Sequence, residues 1–232
     1  MSKRNLPIYR QMNDDRTQNA AQAKDEVRWR VNNRIIGFSD GVFAIAITLL
    51  VLTIDVPANL TSQEVSSFLR GALPQVLIYG ASFMVIGTFW LRHYRMFSLC
   101  RAVDTRMLIL NLVFLAFVSL LPFPSDLINF ADQSPSAVIA FCVVGGAATL
   151  CEFALWRHLH RHPDLLLPDI SEEIVVALRT LRFLSLGLFI VSILVSLLSP
   201  RIAVLLLLAF LPLYEFASYR QHYRVLYLLR DP

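Results

Sequence analysis

The feature that most constrains this chain is the grouping of its apolar residues into blocks long enough to cross a lipid bilayer. Of the 232 residues, 56% are hydrophobic and only 16% are charged. An α-helix needs about 20 residues to cross roughly 30 Å of hydrocarbon. We identify six blocks of that length, at residues 34–55, 68–93, 106–127, 136–157, 175–199 and 201–219. The composition and the blocks together predict an integral membrane protein.

The fold class follows from the lipid environment of the apolar blocks. Lipid cannot hydrogen-bond the peptide backbone, so an uninterrupted apolar run of this length is predicted to be a helix. The alternating pattern of a membrane β-barrel is missing from the sequence. We therefore expect an all-α integral membrane protein with six transmembrane helices. Residues 1–30 are expected to form a polar cytoplasmic tail, residues 31–226 the six-helix transmembrane domain, and residues 227–232 a cytoplasmic C-terminal tail.

The distribution of basic residues predicts the orientation of the chain. Eight Lys or Arg residues lie between Lys3 and Arg34. The second connection holds Arg92, Arg95, Arg101 and Arg106, and the fourth holds Arg157, Arg161, Arg179 and Arg182. Because basic residues stay on the cytoplasmic side of a membrane, both termini of this multi-pass protein are expected in the cytoplasm, with the cell membrane as its location. The same bias accounts for the net charge of +4 without nucleic acid as a partner.

Three polar residues, Arg34, Ser39 and Asp40, stand at the start of the first apolar block, "RIIGFSDGVFAIAITLLVLTIDV". A charged side chain within hydrocarbon costs about 2.5 to 3.5 kcal/mol on insertion scales, so it needs a partner or access to water. The candidate partners at the same depth are Trp90, His93 and Asn111. Each side chain can donate a hydrogen bond to Asp40 or Ser39. One interpretation is that each residue anchors singly at the headgroups, but the clustering favours a polar clamp between helices.

An aliphatic seam follows these polar residues along the first helix. Its members, at spacings i, i+3, i+4 and i+7, are Ile45, Thr48, Leu49 and Leu52. This spacing places them on one side of a helix. Periodicity alone indicates a packing stripe more often than the wall of a pore.

The opening stretch also resembles a known signature. "RIIGFSDGVFAIAITLLVL" is similar to the Arg-x-x-x-Phe-Ser-Asp motif of the bacterial and archaeal relatives of the endolysosomal potassium channel, here Arg34, Phe38, Ser39 and Asp40. Two later stretches look like the same family: "FWLRHYRMF", with Trp90 and His93, and "NLVFLAFVSLLPF", with Asn111. The resemblance covers residues 34–124, and beyond them it is one of hydropathy alone.

The resemblance implies a function and an assembly. Relatives with one signature in each chain are similar in forming homotetramers, in which the first helix lines a central pore. The implied activity is a potassium-preferring cation leak channel that passes potassium and other monovalent cations and has no cofactor, no metal site and no catalytic residue. A constriction of Ile45, Leu49 and Leu52 would stand in place of a TVGYG filter, and Thr48 matches a threonine implicated in ion preference. Such an apolar constriction gates by dewetting.

Two other function classes are weighed against the channel. A proton-coupled secondary transporter would use Asp40 or Glu152 as its proton site, but the internal repeats and broken helices typical of carriers are not seen. A membrane enzyme would need a catalytic cluster at one interface, and residues 158–164 offer no recognisable pattern.

The remaining polar residues predict structure rather than chemistry. Glu152 and Glu215 are expected to pair with Arg157, Arg220 or a hydroxyl, with a proton path as the alternative. His158 and His162 lie one turn apart, which indicates an interfacial basic turn more readily than a metal site. The three cysteines, Cys100, Cys142 and Cys151, are expected to be structural thiols.

Overall fold

The protein is a helical bundle, seen in a computed structural model that describes residues 6–59, 61–130, 134–167, 172–207 and 210. Apart from one isolated bridge between Cys100 and Leu166, the regular structure of these residues is helical. Four helical segments are long and apolar enough to cross a membrane, at Arg30–Thr53, Leu73–Ser98, Thr105–Ile128 and Pro135–Arg161. The predicted all-α class is therefore confirmed over the described part of the chain, and four spans are supported by length and composition.

The first helix is much longer than a bilayer is thick. Helix α1 runs over Leu6–Leu49 and continues as a short 3-10 segment over Leu50–Thr53. Its 44 residues extend about 66 Å at 1.5 Å per residue. The polar segment before the first apolar block thus continues the same helix. An ion pair between Arg30 and Glu26, at 2.8 Å and one turn apart, lies on this extension.

The second span is preceded by a separate short helix. Helix α2 runs over Val65–Gly71 and α3 over Leu73–Ser98. The predicted block at residues 68–93 is thus not one continuous helix, because the structure breaks it at Ala72 and places Pro74 in the first turn of α3. Proline is tolerated there because the first backbone N–H groups of a helix have no partner within it.

The third span has the predicted bounds within one residue but consists of two helices. Helix α4 runs over Thr105–Leu120, and Asp104 caps it by accepting a hydrogen bond from the Met107 amide at 2.8 Å. A new helix, α5, begins at Pro122 and runs to Phe130. Proline can begin a helix even where it cannot continue one.

The last helices are only partly described. Helix α6 runs over Pro135–Arg161 and α7 over Glu172–Ser196, with a 3-10 turn at Pro163–Leu165 between them. The apolar part of α7 among the described residues is Arg182–Ser196. A further helix begins at residue 200 and is described through residue 207. The predicted sixth span at residues 201–219, like Glu215 and Arg220, lies largely outside the described residues.

Helix α6 lies at the centre of the packing. It contacts α4, α5 and α7, whereas α1 packs chiefly against α3 and α4. Where α6 meets α7, the ring of Phe189 lies so close to Gly145 that a Cβ atom there would stand 2.6 Å from it. Glycine at this position therefore permits the close approach of the two helices. The predicted structural role of the cysteines agrees with the finding that all three are free thiols, two of them buried.

Candidate ion pathway along helix α1

Helix α1 has two opposite faces, and the aliphatic seam lies on the exposed one. The side chains of Ile45, Leu49 and Leu52 are 61%, 43% and 74% exposed. Thr48 is exposed as well, and its hydroxyl donates to the Ile45 carbonyl oxygen at 3.0 Å. The seam is therefore not packed among the protomer's own helices.

The other face of α1 is packed against the bundle. Phe43, Ala46 and Leu50 are at most 1% exposed and recur at helical spacing. Ser39 is completely buried on the same face, one turn before Phe43. The bundle therefore sets which side of α1 faces outward.

A buried chain of hydrogen bonds connects α1, α4 and α3. The Asn111 amide donates to the Ser39 hydroxyl oxygen at 3.0 Å, and the Ser39 hydroxyl donates to the Ile35 carbonyl oxygen at 2.9 Å. The Asn111 side-chain oxygen lies 2.9 Å from Nε2 of His93. His93 also stacks on Phe97 and contacts Phe43, with ring centroids 4.3 and 5.6 Å apart. Ser39, Asn111 and His93 thus each have a hydrogen-bond partner on another helix.

Asp40 takes part in a second contact at the exposed edge of the same region. Trp90 donates its indole N–H to a carboxylate oxygen of Asp40 at 2.8 Å. The Trp90 ring stacks against Tyr94, with centroids 6.0 Å apart. Of the residues that the sequence grouped together, the structure joins five in two separate contacts. Arg34 and Phe38 are instead exposed, Phe38 to 55%.

The structure also contains a buried charge cluster whose members the sequence did not predict to meet. Glu152 on α6 lies between Arg92 on α3 and Arg182 on α7, with N–O separations of 3.4 and 3.8 Å and at most 1% side-chain exposure. Glu152 is paired with arginines, as predicted, but with Arg92 and Arg182 rather than Arg157, because helix packing brings these more distant side chains to it. Arg220 lies outside the described residues. Such separations mark ion pairs rather than short charge-assisted hydrogen bonds.

The two arginines lie inside membrane helices and not in the cytoplasmic connections in which the sequence analysis places them. Arg92, and with it Arg95, lies inside α3, and Arg182 lies inside α7. The spacing in the sequence indicates that Arg92 is buried, because it falls on the buried stripe of α3 with Val85, Phe89 and Met96. Residues at i, i+4, i+7 and i+11 share one helix face.

The histidines of the fourth span contribute to a polar contact at the end of α6. Nε2 of His158 lies 2.7 Å from a carboxylate oxygen of Asp104, and the His162 ring lies 4.3 Å from the His158 ring. Burial tends to raise the pKa of Asp104, but hydrogen bonds from the Met107 amide and from His158 outweigh burial and lower it. No group of three metal-binding side chains occurs among the residues that the structure describes.

A neighbouring junction connects α1 to two loops. The Asn32 amide donates to the carbonyl oxygens of Cys100 and Arg101, at 3.4 and 3.2 Å. The Leu165 carbonyl oxygen accepts from the backbone of Arg101 and Ala102. Helix α1 is thus held at this junction as well as at Ser39 and Asp40.

The chain is similar in sequence to several known proteins. A protein from Streptomyces collinus named as a potassium channel is 36% identical over 66% of this chain and 75% of its own length. A second one, from Chamaesiphon minutus, is 35% identical over 74% of this chain and 87% of its own. The family model described as "Endosomal/lysosomal potassium channel TMEM175" matches residues 34–122. The chain belongs to the TMEM175 family.

Solved structures of TMEM175 proteins share the fold. The crystal structure of the Chamaesiphon minutus homologue, titled a lysosomal potassium-selective channel homologue, matches with a TM-score of 0.67 and 29% identity over 82% of this chain and 98% of that one. A variant of another family member, titled a potassium channel, matches with a TM-score of 0.54 at 18% identity, which shows the fold alone. The vertebrate TMEM175 proteins are named proton channels, and the chicken protein is 34% identical over 27% of its own length.

Proposed function

We propose that this chain is a potassium-preferring cation leak channel, a homotetramer whose conduction path runs along α1. The observation that carries the proposal is the outward aliphatic face of α1, on which Ile45, Leu49 and Leu52 are exposed while the opposite face is packed. Two bacterial relatives are named potassium channels. In such a family, an exposed aliphatic face on the signature helix is the candidate wall of a pore that several subunits share.

The proposed constriction predicts modest rather than strict ion selectivity. Aliphatic side chains offer no oxygen atom to replace the hydration water of a cation, so the ring selects by the size and deformability of the hydrated ion and closes by dewetting. Thr48 adds a hydroxyl oxygen one turn after Ile45. That oxygen still has lone pairs when its proton is donated to the Ile45 carbonyl, so it can contact a passing cation or its water.

In this proposal the contacts at Ser39 and Asp40 act as a clamp that orients α1. Asn111 holds Ser39 from α4, and Trp90 holds Asp40 from α3. Rotation of α1 would turn the aliphatic face away from the axis and would break both contacts. Arg34 and Phe38, which are exposed, are assigned to contacts beyond the protomer.

The proposed membrane arrangement keeps six spans and places both termini in the cytoplasm of the cell. Four spans are supported by the described helices. Helix α7 and the helix at residues 200–207 supply the fifth and the beginning of the sixth. The proposed six-helix transmembrane channel domain occupies residues 31–226, between the polar segment 1–30 and the tail 227–232.

Reconstitution into liposomes tests the function. A potassium channel gives a current whose reversal potential lies near the potassium equilibrium potential and shifts when sodium replaces potassium. A proton-coupled carrier would instead give slow, saturable uptake that depends on the pH gradient. The mass of the detergent-solubilised complex determines the number of subunits, and a monomer or dimer would contradict the shared pore.

Proton permeation is measured in the same vesicles with a pH-sensitive dye, because vertebrate relatives are named proton channels. The proposal expects potassium flux to be present whether or not protons also pass. Proton flux without any potassium flux would contradict a potassium-preferring channel.

A further inference from the structure

The buried charge cluster of Arg92, Glu152 and Arg182 lies away from the proposed conduction path, yet it contacts the helix that holds α1. We infer that this cluster positions α3, and through α3 the pore helix, so that Glu152 is a positioning residue for conduction. The inference rests on the proposed function for its electrical readout. Its structural readout, the orientation of α1, is independent of whether potassium passes.

Arg92 is held in place from several directions. Its Nη1 donates to the Ser185 hydroxyl oxygen on α7 at 2.6 Å, and its Nε faces Glu152 on α6 at 3.4 Å. Its guanidinium lies 4.8 Å from the centre of the Phe89 ring on its own helix. Arg182 is held similarly, with its guanidinium 4.9 Å from the Trp156 ring. The cluster therefore ties α3 to α6 and α7 in a defined geometry.

The same turn of α3 also holds the pore helix. Trp90 contacts Asp40, and His93 continues the buried chain through Asn111. At about 100° per residue, Arg92 points roughly 200° around the helix from Trp90. The Arg92 side chain thus reaches α6 and α7 from one side of α3, while Trp90 on the other side contacts α1. A shift of Arg92 would move Trp90 and His93 with it.

A row of aromatic rings provides a second connection. Phe43 on α1 contacts Phe114, Phe114 contacts Phe89, and Phe89 stacks on Phe189 of α7, with centroids 6.0, 6.0 and 6.5 Å apart. Phe89 is the ring over which the Arg92 guanidinium lies. Packed interiors transmit displacement rather than absorbing it. A displacement of Arg92 is therefore passed to α1 through these contacting side chains.

Stability alone does not explain the use of charges at this place. Buried ion pairs often add less to stability than apolar side chains of similar volume, because removing charges from water is costly. Buried ion pairs differ from apolar contacts in that they are directional. A carboxylate between two guanidinium groups is compatible with few relative positions of the helices that carry them. A positioning role therefore predicts that apolar replacement leaves the protein folded but misplaces α1.

The test replaces the whole cluster with apolar residues of similar size, Arg92→Met, Glu152→Leu and Arg182→Met together. We expect a folded tetramer whose open probability is at least tenfold lower than that of the wild-type protein. The matched control, Ser82→Ala with Ser125→Ala, removes another buried contact of α3, a 2.6 Å hydrogen bond to α5, and should leave the open probability within twofold. A folded cluster variant with wild-type open probability would overturn the inference.

The orientation of α1 is read out with the substitution Ile45→Cys and a water-soluble thiol reagent. The parent chain gives the background, in which Cys100 and Cys142 are buried. We expect at least a threefold change in the modification rate when the cluster is replaced, and an unchanged rate would overturn the inference. If the wild-type protein passed no potassium, the proposed function would fail while this rate still decided the positioning role.

Three milder variants decide the question if the triple variant does not assemble. Glu152→Gln removes the charge and keeps the shape, and Glu152→Asp keeps the charge, so we expect loss of open probability in the first and partial recovery in the second. Ser185→Ala removes one uncharged contact of Arg92 and should lower the open probability by a smaller factor, severalfold. If the variants among these that assemble conduct like the wild-type protein, the inference is wrong.

Discussion

The indole nitrogen of Trp90 lies 2.8 Å from a carboxylate oxygen of Asp40 and joins α3 to α1 at the exposed edge of the bundle. The Asp40 carboxylate, which lies near hydrocarbon, thereby receives a hydrogen-bond donor. On the neighbouring buried side, Asn111 holds Ser39. Two consecutive residues of α1 are thus attached to two different helices, which restricts rotation of α1 about its axis.

Substitution of Asp40 tests this attachment. Asp40→Ala removes the acceptor of the Trp90 N–H, so we expect loss of assembly or of conduction with no change in ion preference. Asp40→Asn keeps an acceptor oxygen and should retain the tetramer. The fraction of tetramer by native mass and the reversal potential in liposomes are the measurements. An assembled Asp40→Ala protein with altered selectivity alone would contradict the clamp.

Ile45→Asn tests the constriction. An amide in the narrowest ring wets it and offers oxygen atoms to both potassium and sodium, so we expect potassium preference to fall at least severalfold. The control is Ile109→Asn on α4, because Ile109 is exposed to a similar degree, 56% against 61% for Ile45. The permeability ratio comes from reversal potentials in mixed potassium and sodium. An unchanged ratio for Ile45→Asn would remove this residue from the constriction.

Ser39→Ala leaves the buried Asn111 amide without its acceptor. The cost of such an unsatisfied group is about 1 to 3 kcal/mol of unfolding free energy. Ser119→Ala serves as control, because that serine is exposed and bonds only within its own turn in the structure, and its expected change is within about 0.5 kcal/mol. Thermal unfolding in detergent compares the two. Equal midpoints would show that the buried hydrogen bond contributes little.

Two adjacent glycines of α6 are expected to respond differently to alanine. At Gly145 the added methyl group would meet the Phe189 ring at 2.6 Å, whereas at Gly146 no atom lies within 4 Å. Overpacking typically costs about 1 to 3 kcal/mol, while alanine in an open helical position stabilises by about 0.5 to 1 kcal/mol. Unfolding midpoints should therefore shift in opposite directions. A Gly145→Ala protein as stable as Gly146→Ala would refute the close packing.

The helix cap at Asp104 predicts that the stability of the folded protein decreases at acidic pH. Because the pKa of Asp104 is lowered in the folded protein, its contribution is fully present above the unfolded pKa of about 3.9 and is lost as the pH falls through the folded pKa. Asp104→Asn keeps a cap but cannot titrate, so its stability should fall less steeply below about pH 4. Unfolding midpoints between neutral pH and pH 3 measure this. Parallel curves for the two proteins would contradict the prediction.

Some features of this protein could be read from its sequence. The lengths of the apolar blocks predicted membrane helices because a helix satisfies the backbone hydrogen bonds of an uninterrupted apolar run within the run itself. The depth of Asp40 and Ser39 indicated their partners, and the structure joins Asp40 to Trp90 and Ser39 to Asn111. The helices could be predicted because the length of an apolar run is a property of the sequence itself, and partners could be suggested because residues at the same membrane depth can meet.

Other features depended on how helices pack, and spacing along one helix could not reveal them. Arg92 and Arg182 were counted as connection charges, but α3 and α7 carry them inward to Glu152. The outward direction of Ile45 and Leu52 was likewise decided only when α3 and α4 covered the other face of α1. Sequence determined the helices and their polar groups because these are local properties. Only the tertiary structure decided which faces meet, because burial is a property of neighbours distant along the chain.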